Sequence, residues 1–132
     1  MPHFDVFLFN KKGVKKNMVL ELENGDGILE SIKSAMIDNN VSEVKIEGAE
    51  GVCDEIFINY FERSQYKSSN LKNARVILAS GNYKLSYGEL YGTMKIVTGE
   101  KPPMQGTVVR GKAKDGFKIT LSFVELVDMP AK

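Results

Sequence analysis

The sequence predicts an α+β domain, a mostly antiparallel sheet arranged as a sandwich or barrel, with one main helix over about residues 26–39 packed on it. Three observations carry that expectation. Phe117, Ile119, Leu121 and Phe123 alternate with Lys118, Thr120 and Ser122, the two-residue period of a strand with one buried face. Ile28, Leu29, Ile32, Ala35 and Met36 recur at helical spacing. Turn chemistry such as Asn24-Gly25-Asp26-Gly27 and Lys114-Asp115-Gly116 divides much of the remainder into short apolar runs.

In chain order, Phe4–Phe9 is apolar and aromatic enough for a strand. Lys11-Lys12-Gly13 reads as a polar turn, and Val14–Glu23 as the returning strand of a hairpin. Asp26 is placed to cap the helix, because its carboxylate can accept from free amides of the first turn. Asn39-Asn40 should end it, since asparagine tolerates the left-handed conformation found there. Val41–Glu47 alternates like a strand, Gly48 and Gly51 bracket a turn, and Asp54–Phe61 forms the next strand. A polar loop over 62–72 leads to a strand at Ala74–Ala79, which bends at Ser80-Gly81-Asn82. Leu90–Val97 and Met104–Lys112 flank a turn around Gly99 and Pro102-Pro103, and the alternating strand from Phe117 closes the chain. No repeat or linker interrupts this order, so residues 1–132 read as a single domain.

Composition bounds the function. Hydrophobic residues at 42% and charged residues at 27% suit a folded chain rather than a disordered one. The net charge of +1 excludes a simple polycationic arm, but it hides asymmetry. Residues 21–62 hold eleven acids against Lys33 and Lys45, whereas 63–99 hold six bases against Glu89. Folding could interleave those charges or leave one basic face. The single cysteine, Cys53, permits no internal disulfide and suits a reducing compartment. No stretch approaches the ~20 apolar residues of a membrane span. The start, with its apolar run ahead of its lysines, reverses a secretory signal. The expectation is a cytoplasmic protein without a membrane partner.

Motifs for chemistry are sparse. Gly106 to Ala113 resembles a phosphate loop, but Ala113 replaces the hydroxyl that would hold Mg²⁺, and Val108-Val109 favour strand over the required helix. His3, the only histidine, is no basis for a catalytic pair or a histidine-rich metal site. Asp54-Glu55 and Asp26 with Glu30 read as surface or capping carboxylates. Cys53 beside two acids should have a raised thiol pKa. No catalytic constellation or cofactor is expected. The candidates for anion or nucleic-acid contact are Lys11, Lys12, Lys15 and Lys16 early in the chain and Arg110, Lys112 and Lys114 late. No aromatic platform for single strands, helix-turn-helix pair or AT-hook is evident.

About residues 17–126 resemble the PPC domain, the plants-and-prokaryotes-conserved domain. The resemblance rests on LELENGDGILESIK, VSEVKIEGAEGVCDEIFINYF, ARVILASGN, ELYGTMKIV with MQGTVV, and KAKDGFKITLSF. Residues 1–16 would precede that core as an N-terminal strand and basic turn. The resemblance implies a β-rich α+β domain that assembles as a homotrimer, and for standalone prokaryotic members a DNA-binding role. Many such members carry metal-binding histidines, and the corresponding positions here are Thr93, Lys95 and Thr107. None is a metal ligand of that kind. Two functions are therefore expected: a non-enzymatic trimer that binds DNA or a protein partner, or an anion-binding protein or enzyme using an inter-subunit cleft near Lys95.

Overall fold

The structure, a computed structural model, describes residues 11–128, without the side chains of Lys11, Lys12, Val127 and Asp128. The strand expected at Phe4–Phe9 lies outside the described residues. Six strands and one helix follow in the order β1 (Lys11–Leu22), α1 (Ile28–Asp38), β2 (Glu43–Glu62), β3 (Gln65–Ser86), β4 (Glu89–Thr98), β5 (Gln105–Ala113) and β6 (Phe117–Asp128). All ladders are antiparallel, in the sheet order β1-β6-β2-β3-β4-β5. The α+β expectation holds, and so does the place of its helix.

Several boundaries differ from expectation, each for a physical reason. Lys11-Lys12-Gly13 is strand rather than turn, because β1 pairs with β6 in one register from Lys11↔Asp128 to Leu22↔Phe117. The turn expected at Gly48–Gly51 is absent: β2 is unbroken, since its register with β3 runs from Glu43↔Lys84 to Glu62↔Gln65. What changes there is the partner on the other edge, β6 over Lys45–Glu50 and β5 over Cys53–Asn59. Gly51 sits at the handover with φ 130, and a Cβ there would lie 2.9 Å from Phe117 Cα. The loop expected over 62–72 is the tip of a hairpin. Arg63 and Ser64, at φ 51 and 62, form a two-residue turn whose twist matches the strands that it joins. The bend expected at Ser80-Gly81-Asn82 is also strand. Gly81 is needed there for close approach, because a Cβ would stand 2.1 Å from Thr93 O, and Gly92 has the mirror problem at 2.0 Å from Asn82 O.

Helix α1 buries Ile28, Ile32 and Met36, spaced by four residues so that they form one stripe. Fully covering side chains of this size stabilises by about 1.5–3 kcal/mol each. Ile28 packs over β5, where a Cβ on Gly111 would lie 3.0 Å from its Cδ1. Gly27 is the N-cap rather than Asp26, as its carbonyl accepts the Ser31 N–H at 2.9 Å. Asp26 is instead used in the preceding turn, where its Oδ2 accepts the Glu23 N–H at 2.9 Å. Asn39 and Asn40 end the helix, Asn40 with φ 55.

The sheet folds around a core that includes Ile46, Ile56, Ile58, Met94, Ile96, Phe117, Ile119 and Leu121. Buried Thr98 fixes the β4–β5 turn by exchanging backbone bonds of 2.8 Å and, through Oγ1, 2.9 Å with Met104. Cys53 is buried too, and burial rather than the neighbouring carboxylates pushes its thiol pKa up to about 12. The Gly106–Ala113 segment is strand β5, with no helix for a phosphate to cap. No helix among the described residues is long and apolar enough to cross a membrane.

Ile32→Ala should cost about 2–5 kcal/mol in urea unfolding, whereas Ile37→Ala, 53% exposed on the same helix, should stay within about 0.5 kcal/mol. A thiol reagent near neutral pH should leave native Cys53 unmodified and label it completely in denaturant; rapid native labelling would contradict its burial.

Candidate functional site

Strand register assembles a surface that the linear sequence disperses. Lys95 on β4 pairs with Thr107 on β5, Thr107 with Asn59 on β2, and Asn59 with Ser68 on β3. These four residues form one row across four strands on the face opposite buried Met94, Ile96, Ile58 and Val108. One row along, Arg110 pairs with Phe57 and Phe57 with Asn70. The next row is Lys112, Glu55 and Lys72. In the other direction, beyond Asn59, Phe61 faces Tyr66 beside the hairpin turn.

The contacts give each row a character. Ser68 Oγ donates to Asn59 Oδ1 at 2.7 Å, which leaves the Asn59 amide nitrogen as a donor. The Arg110 guanidinium lies 4.6 Å from the Phe57 ring centre, a cation–π contact that holds the charge against the sheet. Phe61 and Tyr66 meet edge to face at 5.0 Å between centroids, although they are 62% and 85% exposed. Glu55 accepts from Lys72. That bond, the charges of Lys72 and Lys112, and Asn70 hold the Glu55 carboxyl below the usual carboxylate range against a smaller opposing effect of desolvation.

The sequence candidates thus separate. Lys95 and Thr107 are direct neighbours, and Thr93 lies two residues from Lys95 on the same exposed face of β4. Arg110 and Lys112 join their surface. Lys15 and Lys16 sit on β1, where Lys15 is tied to Glu47 at 3.1 Å. Lys114 follows β5, with its N–H bonded to Val52 O at 3.0 Å. The side chains of Lys11 and Lys12 lie outside the described residues. Sequence reading missed Phe57, Asn59, Phe61, Tyr66 and Ser68. The alternation of 57, 59 and 61 was a usable signal, but the partners from β3 and β5 required the register.

The acidic block of residues 21–62 is partly answered by folding. Glu43 pairs with Lys84 at 3.6 Å, Glu47 with Lys15 and Lys45, Glu55 with Lys72, and Glu62 with Arg63 and Lys67. These pairs are exposed and add little stability. They do, however, engage four of the acids of β2, and the three rows hold Lys72, Lys95, Arg110 and Lys112 against Glu55 alone.

Thr93, Lys95 and Thr107 do not fit a metal ion, because two neutral hydroxyls surround an ammonium that repels a cation. Among the described residues, no three His, Cys, Asp or Glu side chains cluster to hold one. An open groove of about 1290 Å³ is lined by residues including Asn39, Ser42, Tyr91, Phe123 and Leu126, and includes none of the three.

A family model described as the Plants and Prokaryotes Conserved (PCC) domain matches residues 9–129. Among solved structures, a plant- and prokaryote-conserved protein of Pyrococcus horikoshii is 20% identical with TM-score 0.67, covering 96% of this chain and 92% of that one. A metal-containing protein of Archaeoglobus fulgidus is 16% identical with TM-score 0.70, covering 96% and 89%. A candidate DNA-binding protein of Ralstonia eutropha is 14% identical with TM-score 0.66, covering 92% and 82%. At these identities the likeness is one of fold. Among curated proteins, none matches the chain.

Glu55 couples stability to pH. Its folded pKa is lowered, so the pair's contribution is complete above the ordinary glutamate value of ~4.3 and is lost as pH falls through the lower folded value. A carboxyl titration followed by NMR should give Glu55 a midpoint below ~4.3, and Lys72→Ala should raise it.

Proposed function

This chain belongs to the Plants and Prokaryotes Conserved domain family, and from that premise we propose a non-enzymatic DNA-binding module that acts as a homotrimer in the prokaryotic cytoplasm. The carrying observation is the cross-strand surface on which Lys72, Lys95, Arg110 and Lys112 face one carboxylate, Glu55. Phosphates bound there release counterions, so affinity falls with salt in proportion to the number of contacts. Assembly multiplies a patch that is modest in one copy. Exposed Ile77 and Leu78, beside half-buried Val97 across the β3–β4 ladder, supply apolar area that further copies could cover. The Ralstonia eutropha neighbour is itself a candidate DNA-binding protein.

A second reading has its own observation. Lys95 opposite Thr107, with Asn59 alongside, places an ammonium, a hydroxyl and an amide where a small anion could be held. This row is part of a sheet face, so enclosing such a ligand requires a neighbouring copy.

Light scattering at micromolar concentration should give three times the 14.7 kDa chain mass; a monomer would remove the trimer from the proposal. Fluorescence anisotropy with labelled DNA should show binding that weakens steeply with salt. Arg110→Ala and Lys112→Ala should each weaken it and lower the salt slope by about 1. Unchanged slopes would exclude this surface. If Lys95→Ala abolishes binding of inorganic phosphate while DNA binding persists, the small-anion reading gains instead.

A further inference from the structure

We propose that the outer face of the β2–β3 hairpin, with Phe57 under Arg110 and the Phe61–Tyr66 pair at its tip, is a stacking platform for single-stranded nucleic acid. The inference rests on the nucleic-acid reading above and specifies the strand state that is bound. Single strands are held by aromatic faces on which bases stack and by cations that follow the backbone. Both are present in register. Along β2, Phe57 and Phe61 are four residues apart on one face, ~13 Å at ~3.3 Å per residue. Between them lie Asn59, Ser68 and Thr107, which offer hydrogen-bonding groups to bases or sugars. Lys112 and Lys72 extend the cationic side by one further row.

Phe61 and Tyr66 already contact one another edge to face, yet both remain more than half exposed. Arg63 and Lys67 flank them and offset Glu62. An exposed aromatic pair beside cations matches the chemistry of an unstacked base carrying a phosphate. The guanidinium over Phe57 offers a second planar surface for a base.

Duplex recognition fits this surface less well. A duplex keeps its base faces inside the stack, so Phe61 and Tyr66 would gain nothing from stacking on it. Helix α1 cannot serve as a groove reader, because its apolar stripe is buried and its exposed positions include Glu30 and Asp38, whose carboxylates repel phosphate. The ribbon itself is two-stranded and free of β5 only beyond Asn59, over Tyr60–Glu62 and Gln65–Lys67. Three residues per strand reach only ~10 Å, and deeper insertion is blocked where Ile58 is fully buried.

The test uses the full chain, a 12-nucleotide mixed-sequence single strand and the duplex of the same sequence, by fluorescence anisotropy at matched salt. Tighter binding of the single strand is expected. Phe61→Ala and Tyr66→Ala should each weaken that binding by between about 5-fold and about 150-fold, the range for losing one stacked base, while Tyr66→Phe retains it. Both positions are exposed, so circular dichroism melts of the variants should match the parent chain. Equal or tighter duplex binding would overturn the platform and leave the DNA reading standing. Failure of both probes to bind would overturn both. Single-strand preference that survives the alanine variants, or a change of oligomeric state in them, would also overturn the assignment, the latter by making the tip a contact between copies.

Discussion

The single register kept between β2 and β3 is the constraint on which the other strands depend. The twenty-residue strand β2 keeps one register with β3 from Glu43↔Lys84 to Glu62↔Gln65. A straight ribbon of that length would extend ~65 Å at ~3.3 Å per residue, about twice the ~30 Å breadth of a small domain. To bury an apolar face it must twist and coil, and the right-handed preference of L-residues gives the direction. The remaining ladders are then docked on its two edges. β6 and β5 share the outer edge of β2, β4 follows β3, and β5 bonds to both β4 and β2, so the pairings return to their starting strand.

Coiling on this scale brings backbones close together, which explains the glycines of the sheet. Gly81 and Gly92 each remove a methylene that would overlap the carbonyl of the facing strand. Gly111 admits the Ile28 side chain, and so joins the helix to the strand that carries Arg110 and Lys112. Packing and surface are thereby coupled: the inward residues of β5 set the distance to the helix, and the same geometry projects its cations outward. The resemblance of Gly106–Ala113 to a phosphate loop has the same origin. Two glycines selected by close packing happen to carry the spacing of a motif whose helix is missing.

Charge follows the same pattern. The acids that dominate residues 21–62 meet lysines from β1 and β3, with Glu47 against Lys15, Glu55 against Lys72 and Glu43 against Lys84. Exposed pairs of this kind contribute little to stability, but they decide which cations remain to shape the surface. Lys95, Arg110 and Lys112 come from strands β4 and β5, beyond the acidic block, and they converge with Phe57 and Asn59 from inside it. A net charge of +1 is therefore compatible with a locally basic face.

The sequence by itself determined the fold class, the helix with its buried stripe at Ile28, Ile32 and Met36, the closing strand from Phe117, and the family to which the chain belongs. Those features are legible because hydrophobic period and turn chemistry act over a few neighbouring residues. It also identified Lys95, Thr107, Arg110 and Lys112 as individual candidates. It did not reveal that β2 continues through Gly48 and Gly51, that 62–72 is a hairpin tip, or that Asp26 leaves the helix cap to Gly27. In those places glycine and polar residues are equally at home in a turn and in a strongly twisted strand, and only long-range pairing distinguishes the two. The candidate surface belonged entirely to the tertiary structure, because Lys95, Thr107, Asn59 and Ser68 become neighbours through strand register, a property of partners distant in sequence.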